Sequence, residues 1–275
     1  SKNESTPMIR FWTKWHWWII EGFIFTNISF LAVDIYIAHS MNHFHHKAEW
    51  IPLLFSLIAP LLLIIDLLRY KNKPNQYNGF IGIIIGFLSI TIGIVGLLFH
   101  LQSQFFSDWT IKSLVYTAPF VAPLAYSGLG FLLLLNRTVK SNSIEWSKWI
   151  IFLAMGGFVG NFVLTLCDHA QNGFFKPIEW LPVGASAIAV GFLTATITGK
   201  SYHVMILTSL YLMVLQIVIG LLGFYFHLIA VLQGPSESLF NNIIYVAPTL
   251  APLLFVNLAI LSIFGLYDLK IKTSS

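Results

Sequence analysis

Charge is what this chain has least of. Only 9% of its 275 residues are Asp, Glu, Lys or Arg, whereas a soluble domain carries about 25%. With 57% hydrophobic residues and a mean hydropathy of +0.78, there is too little polar surface to cover a globule in water. Cysteine is nearly missing as well. The lone Cys167 excludes an intrachain disulfide, and an iron–sulfur cluster needs more thiolates than one chain with a single thiol supplies. Disorder is excluded because the apolar residues lie in long runs rather than being sparse. A net charge of +4, from 15 Lys and Arg against 11 Asp and Glu, would point to nucleic acid in a soluble protein. Here the basic residues flank apolar runs, so they report topology, and no nucleic-acid partner is expected.

A helix needs about 20 apolar residues to cross a bilayer. Eight runs approach that length, at 17–38, 51–68, 79–100, 116–135, 148–167, 181–197, 204–227 and 244–266. The first reads as a retained span and not a removable signal peptide, being too long and without a small-residue cleavage site. Lys2, Arg10, Lys14, Arg69, Lys71, Lys73, Arg137, Lys140, Lys148, Lys200, Lys270 and Lys272 lie at the termini and the even-numbered loops. The odd-numbered loops hold Lys47, Lys112 and Lys176. That asymmetry predicts cytoplasmic termini, in a plasma membrane of bacterial type. Trp12, Trp15, Trp17, Trp18, Trp146 and Trp149 are expected to form an interfacial belt.

The most informative pattern recurs after about 130 residues. His39, Asn42, Phe44, Glu49, Trp50 and Pro52 match His169, Asn172, Phe174, Glu179, Trp180 and Pro182 as H-x-x-N-x-F-x-x-x-x-E-W-x-P. Gly93, Gly96, Phe99 and His100 match Gly220, Gly223, Phe226 and His227 as G-x-x-G-x-x-F-H. Tyr116, Ala118, Pro119, Ala122 and Pro123 match Tyr245, Ala247, Pro248, Ala251 and Pro252 as Y-x-A-P-x-x-A-P. Apolar runs coincide by chance in Leu, Ile and Val, but not in His, Glu, Trp and Pro. The expected fold is therefore an all-α integral membrane protein of eight transmembrane helices. Two tandem four-helix repeats, 1–140 and 141–275, would be related by a pseudo-two-fold axis along the membrane normal. The prolines read as first-turn residues that end or bend a helix, and the glycines as close packing.

An ionisable side chain near a bilayer is costly and proposes a function and a partner. The repeat would bring His39, His100, His169 and His227 to one depth near the outer face, with Glu49 and Glu179 opening the spans that follow. Imidazole suits an iron, copper or zinc ion, and carboxylate shifts the preference towards iron, manganese or zinc rather than cuprous copper. Two geometries stand open. Each half could hold a haem on an axial pair, His39 with His100 and His169 with His227. Alternatively the halves could converge so that Glu49 and Glu179 join the histidines around one or two non-haem ions. The run from His39 through His43, His45 and His46 resembles the histidine boxes of membrane desaturases and hydroxylases, whose later boxes have no counterpart here. The duplicated His-bearing architecture resembles haem A synthase as a fold, with no shared local motif.

The expected function is a membrane redox or metal-binding protein, an oxidoreductase or electron-transfer protein working with a quinone or another membrane subunit. A proton- or cation-coupled transporter and a noncatalytic subunit of a larger complex are the alternatives. Hydrogen bonding, helix capping and snorkelling by the same His and Glu side chains would account for them without any ligand. Glu21, Asp34, Asp66, Asn161, Gln216 and Asn257 are the remaining polar groups inside spans, with Glu21 and Asp34 as candidates for a proton path. His16 and His203 are expected at the inner interface.

Overall fold

The computed structural model describes residues 7–69, 79–199 and 202–274, and Lys2, Lys71, Lys73 and Lys200 of the topology argument lie outside them. The described residues form helices joined by turns and short irregular stretches, with no strand among them. The helices are α1 (Pro7–Ser40), α2 (Trp50–Arg69), α3 (Phe80–Gln102), α4 (Ile111–Tyr116), α5 (Leu124–Thr138), α6 (Ile144–Gln171), α7 (Trp180–Thr198), α8 (Tyr202–Leu232), α9 (Leu239–Tyr245) and α10 (Leu253–Ser274). Among the described residues seven helices are long and apolar enough to cross a membrane, which makes the chain a multi-pass integral membrane protein. Their outward faces carry residues such as Leu54, Leu61, Phe87 and Val214, a surface suited to lipid.

The runs 116–135 and 244–266 do not each form one helix. The short α4 and α9 end at the conserved-spacing tyrosines Tyr116 and Tyr245, and α5 and α10 begin just after Pro123 and Pro252. Between them the chain runs through turns, because each Pro lacks the N–H that would continue the helical ladder. Tight bonds bridge the gap, from Ala122 N to Pro119 O (3.1 Å) and from Ala251 N to Pro248 O (3.2 Å). The resulting α5 has 15 residues, short of a full bilayer crossing.

Packing follows the chain. α3 lies along α5, α8 along α10, α1 along α2, and α6 along both α7 and α10. The segments before and after residue 140 meet through α5 on α6, α1 on α10, α4 on α6 and α1 on α9. One core cluster draws Ile20, Ile24 and Leu133 together with Trp146, Ile150 and Leu261, so both segments share a core. Across it Asn257 Nδ2 donates to Asn27 Oδ1 at 2.6 Å.

At the end where α1 and α6 begin, several sequence expectations change. Arg137, counted among the loop cations, is fully buried and forms an ion pair with Glu21, which is 2% exposed. Asn136 Nδ2 adds a bond to Glu21 at 2.6 Å. Glu21 is thus the buried counter-ion of Arg137. Lys272 is tied to Asp268 and to the carbonyl oxygens of Ser141 (2.7 Å) and Ser143 (2.9 Å). Trp12, Trp17 and Trp146 are buried and do not form a belt. Trp12 Nε1 donates to Asp268 Oδ1 (2.8 Å) and Trp17 Nε1 to Asn136 O (2.9 Å), because a buried indole N–H needs an acceptor. Trp15 and Trp149 do face outward. Asp66 Oδ2 accepts from Gly82 N at 2.9 Å, and Gln216 Nε2 donates to Ala185 O at 3.0 Å.

Removing the guanidinium leaves a carboxylate buried without its counter-charge. Arg137→Ala is expected to destabilise the fold by about 3–5 kcal/mol, read as a lowered unfolding midpoint in detergent, while the double exchange Glu21→Gln with Arg137→Met recovers most of that loss.

Candidate functional site

The first motif builds a His–Glu pair from one turn. α1 ends at Ser40 and α6 at Gln171, and the chain then reverses through left-handed residues. His43 and Phe44 have φ of 57° and 51°, Gly173 and Phe174 of 69° and 50°. A phenylalanine in this region is strained. What holds it is ring stacking: Phe44 lies on Trp50 with centroids 4.4 Å apart, and Phe174 on Trp180 at 3.8 Å. The backbone closes the same loop, with Phe44 N bonded to His39 O and Phe174 N to His169 O, each at 3.1 Å. Short 3-10 turns, Lys47–Glu49 and Pro177–Glu179, lead into α2 and α7.

This reversal returns each glutamate to the histidine ten residues before it. His39 Nδ1 stands 3.4 Å from Glu49 Oε2, and His169 Nδ1 stands 3.8 Å from Glu179 Oε2. Both separations exceed the 2.7–3.2 Å of a good N–H···O bond. Glu49 Oε2 and Glu179 Oε2 are buried and have no hydrogen-bond partner. The other Glu49 oxygen, Oε1, accepts from Asn42 Nδ2 at 2.9 Å, which accounts for the asparagine in the first copy of the motif.

The second and third motifs act together. A Cβ at Gly96 would lie 2.8 Å from Pro123 Cβ, and one at Gly223 would lie 2.9 Å from Pro252 Cβ, so only glycine permits α3 and α8 to approach the proline turns this closely. One helical turn beyond each glycine comes the histidine. His100 Nδ1 reaches Pro119 O at 2.9 Å, and His227 Nδ1 reaches Pro248 O at 3.0 Å. Pro123 and Pro252 stand four residues after these carbonyls and cannot supply the usual helical N–H, which leaves each carbonyl an acceptor site for a ring nitrogen. A carbonyl only accepts, so Nδ1 of His100 and of His227 carries the proton. In the neutral ring the lone pair is then on Nε2.

The rings of His39 and His100 meet edge to face, with centroids 6.2 Å apart. Both His39 and Glu49 act electrostatically on His100, and both Glu179 and His227 act on His169. Contacts thus join His39, Glu49 and His100 before residue 140 and His169 with Glu179 after it, with His227 within electrostatic reach of His169. Among the described residues, however, no three His, Cys, Asp or Glu side chains already stand close enough to hold one metal ion.

The other candidates separate from these groups. His43, His45 and His46 are exposed on the reversal, with the rings of His45 and His46 5.0 Å apart. His16 is buried against Trp146 (centroids 5.1 Å) instead of lying at the interface, and His203 is exposed. Asn161 is buried with neither side-chain polar atom bonded. Asp168 and Cys167 line a small cavity with Thr117, Pro119 and Gln171, where α6 meets the first proline turn. Sequence reasoning missed Pro119, Pro123, Pro248 and Pro252 as part of the histidine sites. The signal lay in the recurrence of F-H followed by A-P-x-x-A-P in both copies, 19 residues from His100 to Pro119 and 21 from His227 to Pro248.

No protein-family model, curated protein or solved structure matches the chain.

Restoring an N–H at residue 123 gives the Pro119 carbonyl its helical donor and takes the fixed partner from His100. In Pro123→Ala, the ring-nitrogen NMR signals of His100 are expected to change from a single Nδ1–H tautomer to a mixture, with those of His227 unchanged as the internal reference. At the reversal, His43→Gly removes the cost of a side chain at φ 57° and is expected to stabilise the fold by about 1 kcal/mol, seen as a raised unfolding midpoint.

Proposed function

We propose that the chain is an integral-membrane redox or metal-binding protein whose cofactor lies on His39, His100 and Glu49 and on His169, His227 and Glu179. One observation carries this reading. Each motif glutamate presents a buried, unbonded oxygen 3.4 or 3.8 Å from an imidazole nitrogen. Two atoms each bound about 2.1 Å from a tetrahedral ion stand about 3.4 Å apart. Both spacings are long for a hydrogen bond; that of His39 and Glu49 equals the tetrahedral ligand spacing, and that of His169 and Glu179 is slightly wider.

Orienting bonds behind the ligands support it further. A metal-binding histidine usually donates its other ring N–H to a carbonyl or carboxylate, which sets the tautomer. Pro119 and Pro248 serve His100 and His227 in that way, and Asn42 does the same for Glu49. A bound ion with free coordination positions could activate oxygen or water, or exchange electrons with a quinone or a second membrane subunit.

The same proposal takes the chain as two tandem four-helix units, 1–140 and 141–275, about an axis along the membrane normal. It is supported by the placement of the repeated motifs on corresponding elements: the ends of α1 and α6, the helices α3 and α8, and the proline turns that lead into α5 and α10. The excess of Lys and Arg at the opposite end from the histidines supports cytoplasmic termini and an outer-face site in a plasma membrane.

Metal analysis and a visible spectrum of the purified protein test the reading directly. Bound metal is expected, and its loss in the double variant His39→Ala with His169→Ala. An unchanged metal content in that variant, or none in the wild type after exposure to Fe2+ and Zn2+, would overturn it.

A further inference from the structure

Resting on the metal-binding reading, the geometry points to two separate centres per chain, each for one divalent first-row transition ion. We propose that the first ion is held by His39 Nδ1, His100 Nε2 and Glu49 Oε2. The second is held by His169 Nδ1, His227 Nε2 and Glu179 Oε2.

Separation of the centres follows from who neighbours whom. Glu49 is paired with His39, ten residues away, and His39 with the ring of His100. Glu179 is likewise paired with His169, ten residues away, and His227 lies within electrostatic reach of His169. Every one of these partners lies within the same segment. The expectation of a single centre to which both glutamates contribute has no such contact behind it among the described residues.

Ligand class follows from the donor atoms. Each set offers two neutral imidazole nitrogens and one carboxylate oxygen, with no thiolate or thioether. That combination suits Fe2+, Mn2+ or Zn2+ and disfavours cuprous copper, which prefers sulfur. Purely oxygen-seeking Mg2+ and Ca2+ are disfavoured by the imidazoles. Three protein ligands leave positions open for water or substrate, as in the two-histidine, one-carboxylate arrangement of non-haem iron. A haem would use only the histidines and leave each glutamate oxygen buried and unbonded. Among the described residues no set is closed as it stands, and His100 and His227 are held by their proline carbonyls.

The test is ion stoichiometry on the full chain in detergent, stripped by chelator and reloaded with Fe2+ under anaerobic conditions, Mn2+, Zn2+ or Co2+ in turn. Two ions per chain are expected for the wild type, with Co2+ absorption bands saturating at two equivalents and no Soret band as isolated. Glu49→Gln and Glu179→Gln are each expected to retain one ion, and the double exchange none, with helical circular dichroism unchanged. One ion in the wild type, lost entirely in either single variant, would overturn the two-centre inference and leave the metal-binding reading standing. A Soret band lost on removing His100 would replace the ion class by haem. No ion under any loading would end both. The Co2+ titration of the wild type decides the count even where a variant fails to fold.

Discussion

A carbonyl deprived of its helical donor is the constraint on which the histidine end of this protein depends. Proline four residues downstream removes the N–H that would have bonded Pro119 or Pro248. Burying such an oxygen with too few donors is costly, and an additional partner must come from elsewhere. It comes from His100 and His227, and only because Gly96 and Gly223 let their helices settle against the proline turns. Three sequence features that look independent, a pair of glycines, a histidine and a pair of prolines, are one packing unit. Its product is an imidazole with one ring nitrogen engaged and the other free.

The reversal after α1 and α6 solves a different problem with the same economy of parts. A glutamate must be returned to a histidine on the preceding helix within ten residues. The turn does so through consecutive left-handed residues, one of them a phenylalanine that pays a conformational penalty. Stacking of Phe44 on Trp50 and of Phe174 on Trp180 opposes that penalty by burying aromatic surface. The Trp of the E-W pair therefore serves the Glu: it anchors the turn that positions the carboxylate.

The two ends of the bundle treat charge in opposite ways. Where α1 and α6 begin, Glu21 meets Arg137 and Asn136, and Asp268 meets Lys272, Ser147 and Trp12. These carboxylates are surrounded by donors, as burial in low dielectric demands. Where the same helices end, Glu49 and Glu179 each keep a buried oxygen without a hydrogen-bond partner, with a motif imidazole nitrogen 3.4 or 3.8 Å away. A fold able to satisfy its acids fully at one end has the chemistry to do so at the other. The incompleteness at the histidine end is local to the repeated motifs, and it is the feature that the proposed ligand would account for.

Composition alone determined that the chain is helical and lives in a bilayer, since so few charges and such long apolar runs permit little else. Recurrence of rare residue types marked His39, His100, His169, His227, Glu49 and Glu179 without any coordinates, because polar side chains in apolar runs stand out from a background that matches by chance. Tertiary structure decided the rest. Nothing local says that Arg137 leaves the loop charges to pair with Glu21, or that Trp12, Trp17 and Trp146 are buried instead of lining the interface, because burial depends on which helix lies opposite. Nor could spacing show that Pro119 and Pro248 hold the histidines, or that each glutamate faces a histidine of its own segment. Those contacts join residues brought together by helix packing and turn geometry, and a pattern along one chain carries no distance between helices.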